Sequence, residues 1–246
     1  MSIQFNDTNT RKGLIQLIEK NTGLGNGRIS GDTELLKDFT ADINIAFDSL
    51  LRLIFLTSGT WQFDDSNHEK YPIITTDLNA NQRDYSFVLD EQGNIILDIY
   101  KVMVKDNSGF YRDVLPVDMQ SDLGVQSFYD GQNNVGYPSK YDKTANGIIF
   151  DVLPKETISN GIKIFINREA SYFVYTDTTK KAGVDGLCQE YLAIKPSFDY
   201  AMRKSLPNKE DLRYELEKIE KQIKDRYYKR AKDEKKIIRP KVRNPE

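Results

Sequence analysis

The amino-acid sequence predicts an α+β protein: a helical bundle built from N- and C-terminal helices, an inserted antiparallel β-sandwich or barrel domain, and an extended C-terminal arm. Three observations carry this. Apolar residues recur at steps of three and four before about residue 60 and again after about residue 180. Between them lie short alternating runs separated by Gly, Asn and Asp clusters, the pattern of strands and turns. The last helical stretch then runs without a stop into a basic tail, Lys-Ile-Ile-Arg-Pro-Lys-Val-Arg-Asn-Pro-Glu. The expected boundaries are 1–60 with 180–235 for the bundle, 61–179 for the β-rich domain and 236–246 for the arm.

The first helix is expected over about 11–21, with Leu14, Ile15 and Ile18 on one side and Gly23, Gly25 and Gly27 ending it. Asp32 is placed to cap a second helix that runs to about Thr57, with Glu34 in its first turn. Leu35, Leu36, Phe39, Ile43, Ala46, Phe47, Leu50 and Ile54 recur along it at steps of three and four. The stretch from Leu50 to Leu56 is apolar nearly all round, so it must be covered on more than one side. Leu51, Leu53, Phe55 and Leu56 are therefore candidates for contact with another subunit.

Strands are expected over about 83–89, 95–105, 110–117, 139–142, 147–153 and 162–168, with Asp106-Asn107-Ser108-Gly109 as a hairpin loop. The polar stretch 121–136 is a loop long enough to have a purpose. Helix returns near Gly186, with Leu187, Tyr191, Leu192, Ile194 and Phe198 on its buried side; Pro196 kinks or divides it. Asn208 is placed to cap the last helix, whose stripe is Leu212, Leu216, Ile219, Ile223, Tyr227 and Ala231.

Composition removes several function classes. With one cysteine, Cys188, and one histidine, His68, there is no internal disulfide and no Cys/His zinc spacing. His68 lies in a polar loop, Asp64-Asp65-Ser66-Asn67-His68-Glu69-Lys70, and reads as solvated rather than catalytic. Cys188 reads as a small core residue. The glycines at 23, 25 and 27 follow a helix rather than a strand and lack the Gly-Lys-Ser/Thr ending of a phosphate loop, so they read as a connector. A two-carboxylate hydrolase has no preferred pair among 37 Asp and Glu residues. No apolar run approaches the roughly 20 residues that cross a bilayer, and the opening Met-Ser-Ile-Gln-Phe-Asn-Asp has no secretory pattern. The expectation is a non-membrane protein with no enzyme activity, cofactor or metal.

Charge is unevenly placed. Residues 226–246 hold nine Lys/Arg and three Asp/Glu, a local +6, so residues 1–225 carry −8 of the net −2. Ile237, Ile238 and Val242 interleave with the tail's charges, which favours an arm that docks on protein over a purely electrostatic tail. The docking set is Arg226, Lys229, Arg230, Lys232, Lys235, Lys236, Ile237, Ile238, Arg239, Lys241, Val242 and Arg243. Truncation after Arg226 is expected to spare the fold.

Several blocks resemble tailed-phage head–tail connector proteins, the adaptor or ring proteins below the portal. They are Ser58-Gly-Thr-Trp61-Gln-Phe-Asp64-Asp65, Tyr71-Pro-Ile-Ile-Thr-Thr76, Gln82-Arg-Asp-Tyr85-Ser-Phe87, Asn146-Gly-Ile-Ile-Phe-Asp-Val-Leu-Pro154, Gly161-Ile-Lys-Ile-Phe-Ile-Asn-Arg168-Glu169 and Phe173-Val-Tyr-Thr-Asp177-Thr-Thr-Lys180-Lys181. The resemblance covers about residues 30–235, and its motifs are structural rather than catalytic. It implies a structural virion protein, made in the bacterial host cytoplasm, that forms a homo-oligomeric ring, commonly a dodecamer. It also implies docking to the portal protein through the C-terminal segment, tail or ring proteins below, and DNA passing through the lumen without sequence-specific binding. Some related adaptors are purely helical, and the large β insert departs from them. The alternative is a receptor- or glycan-binding phage module that uses the aromatic β domain.

Overall fold

The computed structural model describes residues 3–58, 73–90, 93–117, 126, 128, 130 and 133–230. It is an α+β protein with four helices and a curled seven-stranded sheet among the described residues. The chain divides into two compact units, Met1–Asn67 with Tyr172–Glu246, and His68–Ser171.

The first unit holds α1 (Leu14–Thr22), α2 (Thr33–Ser58), α3 (Gly186–Lys204) and α4 (Lys209–Arg230). Helix α3 packs against each of the other three, and α2 also packs on α4. The expected stripes are the buried ones: Leu14, Ile15 and Ile18 on α1, and Leu212, Leu216, Ile219, Ile223 and Tyr227 on α4. Before α1, residues 3–6 are woven into the unit. Phe5 donates its N–H to the Lys180 carbonyl at 2.7 Å and stacks its ring 4.8 Å from that of Phe173.

Helix α1 starts three residues later than the periodicity predicts. Asp7 accepts the N–H groups of Asn9 (3.1 Å) and Thr10 (2.9 Å), and Arg11 is left-handed at φ 57°, so the chain is still turning there. The helix ends at Gly23, whose φ of 68° suits a residue without a side chain. The loop that follows closes on one buried group. The Glu19 carboxylate accepts N–H donations from Gly27 (3.0 Å), Ile29 (2.9 Å) and Ser30 (3.2 Å), and Arg11 lies 3.5 Å away. Asp32 then caps α2 as expected, accepting from Glu34 N–H at 3.1 Å and Leu35 N–H at 3.3 Å.

Helix α3 is capped by Asp185, which accepts from Leu187 N–H (3.0 Å) and Cys188 N–H (3.2 Å). Pro196 does not divide it. The proline lacks the N–H that would reach back one turn, while the next residue, Ser197, donates its hydroxyl to the Ala193 carbonyl at 2.7 Å and both residues are buried. Packing thus holds the helix together across the proline. Asn208 stands before α4 as expected, but its side chain does not cap. It donates to the Asn21 carbonyl at 2.7 Å, tying α4 to the end of α1.

The second unit holds β1 (Ile73–Leu78), β2 (Asp84–Ser86), β3 (Ile96–Lys105), β4 (Tyr111–Pro116), β5 (Val135–Gly136), β6 (Lys140–Thr144), β7 (Gly147–Phe150), β8 (Leu153–Pro154) and β9 (Ile158–Arg168). Seven of these form one sheet in the order β1-β9-β3-β4-β6-β7-β2; β5 and β8 form a separate two-residue parallel ladder. Strand β1, which alternation does not reveal, is an edge strand paired with β9. The sheet is not wholly antiparallel. Its two antiparallel parts join where β4 and β6 pair in parallel through Leu115–Lys140 and Pro116–Tyr141.

Chain length forces this sheet to curl. Strands β1 and β2 are its two edges, yet residues 79–83 alone link them. Six Cα steps reach at most about 22 Å, whereas a flat seven-stranded sheet is about 29 Å across. Curling brings Ile74 and Leu78 of β1 into one core with Tyr85 of β2, Val102 and Val104 of β3, and Ile162, Ile164 and Ile166 of β9. The Tyr85 hydroxyl closes the seam by accepting the Asn79 N–H at 2.9 Å. Gly147 sits where β7 meets β2 so closely that a Cβ would lie 2.0 Å from the Tyr85 carbonyl oxygen.

Two outcomes test this account. Glu19→Gln puts an amide donor against the loop's own donors and should cost about 2 kcal/mol. Amide hydrogen exchange at Gly27, Ile29 and Ser30 should then speed up, and unchanged protection would refute the clasp. Ser205 caps α3 in the left-handed region at φ 52°. Ser205→Gly should therefore stabilise the fold by about 0.5–1 kcal/mol, seen as a rise in Tm of a few degrees.

Candidate functional site

Of the residues expected to dock on a partner, α4 carries Arg226 and Lys229 and ends at Arg230. Arg226 is already engaged. Its Nε lies 3.1 Å from Oδ2 of Asp185, the carboxylate whose other oxygen caps α3. One acidic side chain thus satisfies the N-terminus of α3 and a cation in the last two turns of α4, both favourable to the helix dipoles. Lys229 is exposed. Lys232, Lys235, Lys236, Ile237, Ile238, Arg239, Lys241, Val242 and Arg243 lie outside the described residues. Tyr227 is buried, so the expectation that truncation after Arg226 spares the fold is corrected: that cut removes a core side chain.

The subunit-contact candidates on α2 separate by burial. Leu51 is buried within the chain itself and needs no neighbour, and Leu53 and Phe55 are half-buried. Leu56 is 82% exposed. It continues a stripe that the sequence reading did not single out: Asp38, Ala41, Ile45, Asp48, Arg52 and Leu56, all exposed, at steps of three and four. Ile45 is 59% exposed, so the stripe has an apolar residue near its middle and another near its end. Beside it, the Tyr172 hydroxyl donates to Asp48, and Asn44 exchanges hydrogen bonds with the Phe173 backbone at 2.9 and 3.0 Å. These bonds fix the 172–175 segment, whose Val174 is also exposed, along α2.

The chemistry-bearing residues resolve simply. Cys188 is buried, with its sulfur 3.9 Å from the Tyr227 hydroxyl. The glycine-rich connector is filled by Glu19 and offers its amides to that carboxylate, which leaves no cradle for phosphate. His68 lies outside the described residues. Among the described residues no group of three or more His, Cys, Asp or Glu could hold a metal, and no helix is long and apolar enough to cross a membrane.

One recess lies wholly in the helical unit. It is a cleft of about 900 Å³ between residues 3–12, the outer face of α1 and the first half of α3. A smaller recess of about 310 Å³ lies in the sheet unit beside the 105–108 hairpin loop, with Tyr137 on its wall. The Tyr137 hydroxyl donates to Glu156, which, with burial, pushes its pKa up to about 12. The Asp106 carboxylate in the same wall is held below the usual range, first by the Phe110 N–H at 3.0 Å and then by Arg112 at 2.7 Å. The long polar loop expected at 121–136 lies mostly outside the described residues.

Compared with known proteins, the chain matches no protein-family model and no curated protein.

The double use of Asp185 gives a graded expectation. Asp185→Ala removes a helix cap and should cost about 1–2 kcal/mol. Arg226→Ala removes only a largely exposed ion pair and should cost below about 1 kcal/mol. Thermal unfolding followed by helical circular dichroism checks the order, and a larger loss for Arg226→Ala would reverse it.

Proposed function

We propose that the chain is a structural subunit of a phage head–tail connector, one copy in a ring, with no catalytic step. In this reading the four helices form the bundle that builds the ring wall, and the curled sheet is its inserted sandwich- or barrel-like domain. The ring is a dodecamer seated in the virion beneath the portal protein, it carries tail or ring proteins below, and DNA crosses its lumen without sequence-specific contacts.

The observation that carries the reading is the exposed stripe of α2. Ile45 and Leu56 stand in water on a helix whose opposite side already supplies the unit's core. Exposed apolar residues set among Asp38 and Arg52 make a contact surface with charges to fix its register. The resemblance of the sequence blocks to connector proteins supplies the assembly. The −8 carried by residues 1–225 suits a passage that must release DNA, because an acidic wall gains nothing from counterion release.

Removal of residues 231–246 tests the docking arm without touching Tyr227. The shortened chain should keep its circular dichroism and its ring, and should lose its complex with the portal protein in native mass spectrometry. Undiminished complex formation would reject the arm's role. A wild-type chain that stays monomeric beside portal and tail components would reject the connector reading itself.

A further inference from the structure

We propose that the 900 Å³ cleft of the helical unit is a docking groove for an acidic, amphipathic helical segment of another protein. The inference is independent of the connector reading. Two helix faces wall the groove: Leu17, Lys20 and Asn21 on α1, and Gly186, Glu190 and Ile194 on α3. A groove walled by two helices accepts a third helix laid along it, with its apolar side chains inserted at helical spacing. Ile3 and Leu17, both only half-buried, supply the apolar floor.

The charges of the rim decide the partner's sign. Asp7 lines the groove, but its carboxylate is spent on Asn9, Thr10 and the turn they form, which with Lys12 nearby holds it below the usual range. Arg11 is likewise spent on Glu19 and Asn26. Lys12 and Lys20 remain, both exposed, and among the described residues neither has a carboxylate within salt-bridge distance. Lys181 also lines the rim but has a partner of its own, and Glu190 adds one anion. A groove that is net cationic on a body carrying −8 selects carboxylates close to apolar anchors.

The test uses the full chain and a fluorescein-labelled helical peptide of about four turns, with Leu along one face and Glu elsewhere. A peptide with Lys in place of every Glu is the control. The acidic peptide should bind in fluorescence anisotropy, the basic one should not, and binding should weaken as salt rises from about 0.05 to 0.5 M. Lys12→Glu with Lys20→Glu should weaken it by at least about tenfold. Lys12→Gln with Lys20→Gln, which spares the end of α1 a carboxylate, should give a smaller loss. Amide shifts on binding should centre on Leu17 and Ile194. Equal binding of both peptides, no binding, shifts elsewhere, or affinity untouched in both lysine variants would overturn the proposal. So would self-association of the chain that the acidic peptide displaces, because the occupant would then be a second copy.

Discussion

The carboxylate of Glu19 is the interaction on which the helical unit depends. It is almost fully buried in a stretch where the backbone must leave α1, pass three left-handed glycines and enter α2. Such a loop exposes N–H groups that no helix satisfies, and unpaired buried donors are expensive. Glu19 gathers three of them onto two oxygens, and Arg11 offsets part of the charge. The direction of α2 follows from this closure, and with it the outward turn of the Ile45 and Leu56 stripe. Gly31 shows how tightly the loop is drawn: a Cβ there would stand 2.8 Å from the Gly27 carbonyl oxygen.

The sheet unit rests on a constraint of another kind. Its curl is set by the short 79–83 link rather than by any one contact, and the apolar faces of both antiparallel parts meet as a consequence. A buried ion pair then fixes one end. Arg168, at the end of β9, lies 3.6 Å from Asp90, and both side chains are nearly sealed from water. Asp90 also accepts from Asn94 N–H at 2.7 Å, so the pair anchors the hairpin between 88 and 96. A pair so deeply buried adds little net stability, but breaking it leaves a naked charge, which makes competing registers costly.

The sequence showed the elements whose stabilisation is local and repetitive. The α4 stripe and the Asp32 cap are visible because apolar spacing and capping chemistry lie within a few residues of each other. Strand β1 was not visible, since Ile73-Ile74-Thr75-Thr76 has no alternation and becomes a strand only by pairing with β9, more than eighty residues away. The parallel junction of β4 and β6 and the two-residue ladder of β5 and β8 are long-range pairings too short to leave a period. Pro196 misled for a different reason: propensity penalises it, but burial and the Ser197 hydroxyl outweigh that penalty. Glu19, Gln16 and Arg168 were invisible as buried groups, because a charged or polar residue in a sequence carries no mark of burial. Of the candidate surfaces, the apolar end of α2 was legible, whereas its register with Ile45 required the observed burial.

The same distinction locates what this protein can recognise. Within the helical unit, the polar groups with demanding chemistry satisfy one another: Asp185 with α3 and Arg226, Asp7 with its own turn, and Glu19 with its loop. A group engaged in this way contributes to shape and has little left for a partner. What remains for recognition is the set of side chains that folding did not use, chiefly the α2 stripe apart from Asp48, and the Lys12 and Lys20 rim. The first is apolar between charges of both signs, and the second is cationic on an acidic body. Each differs in sign or polarity from its surroundings, and that local contrast is what lets a surface discriminate among partners rather than attract them indiscriminately.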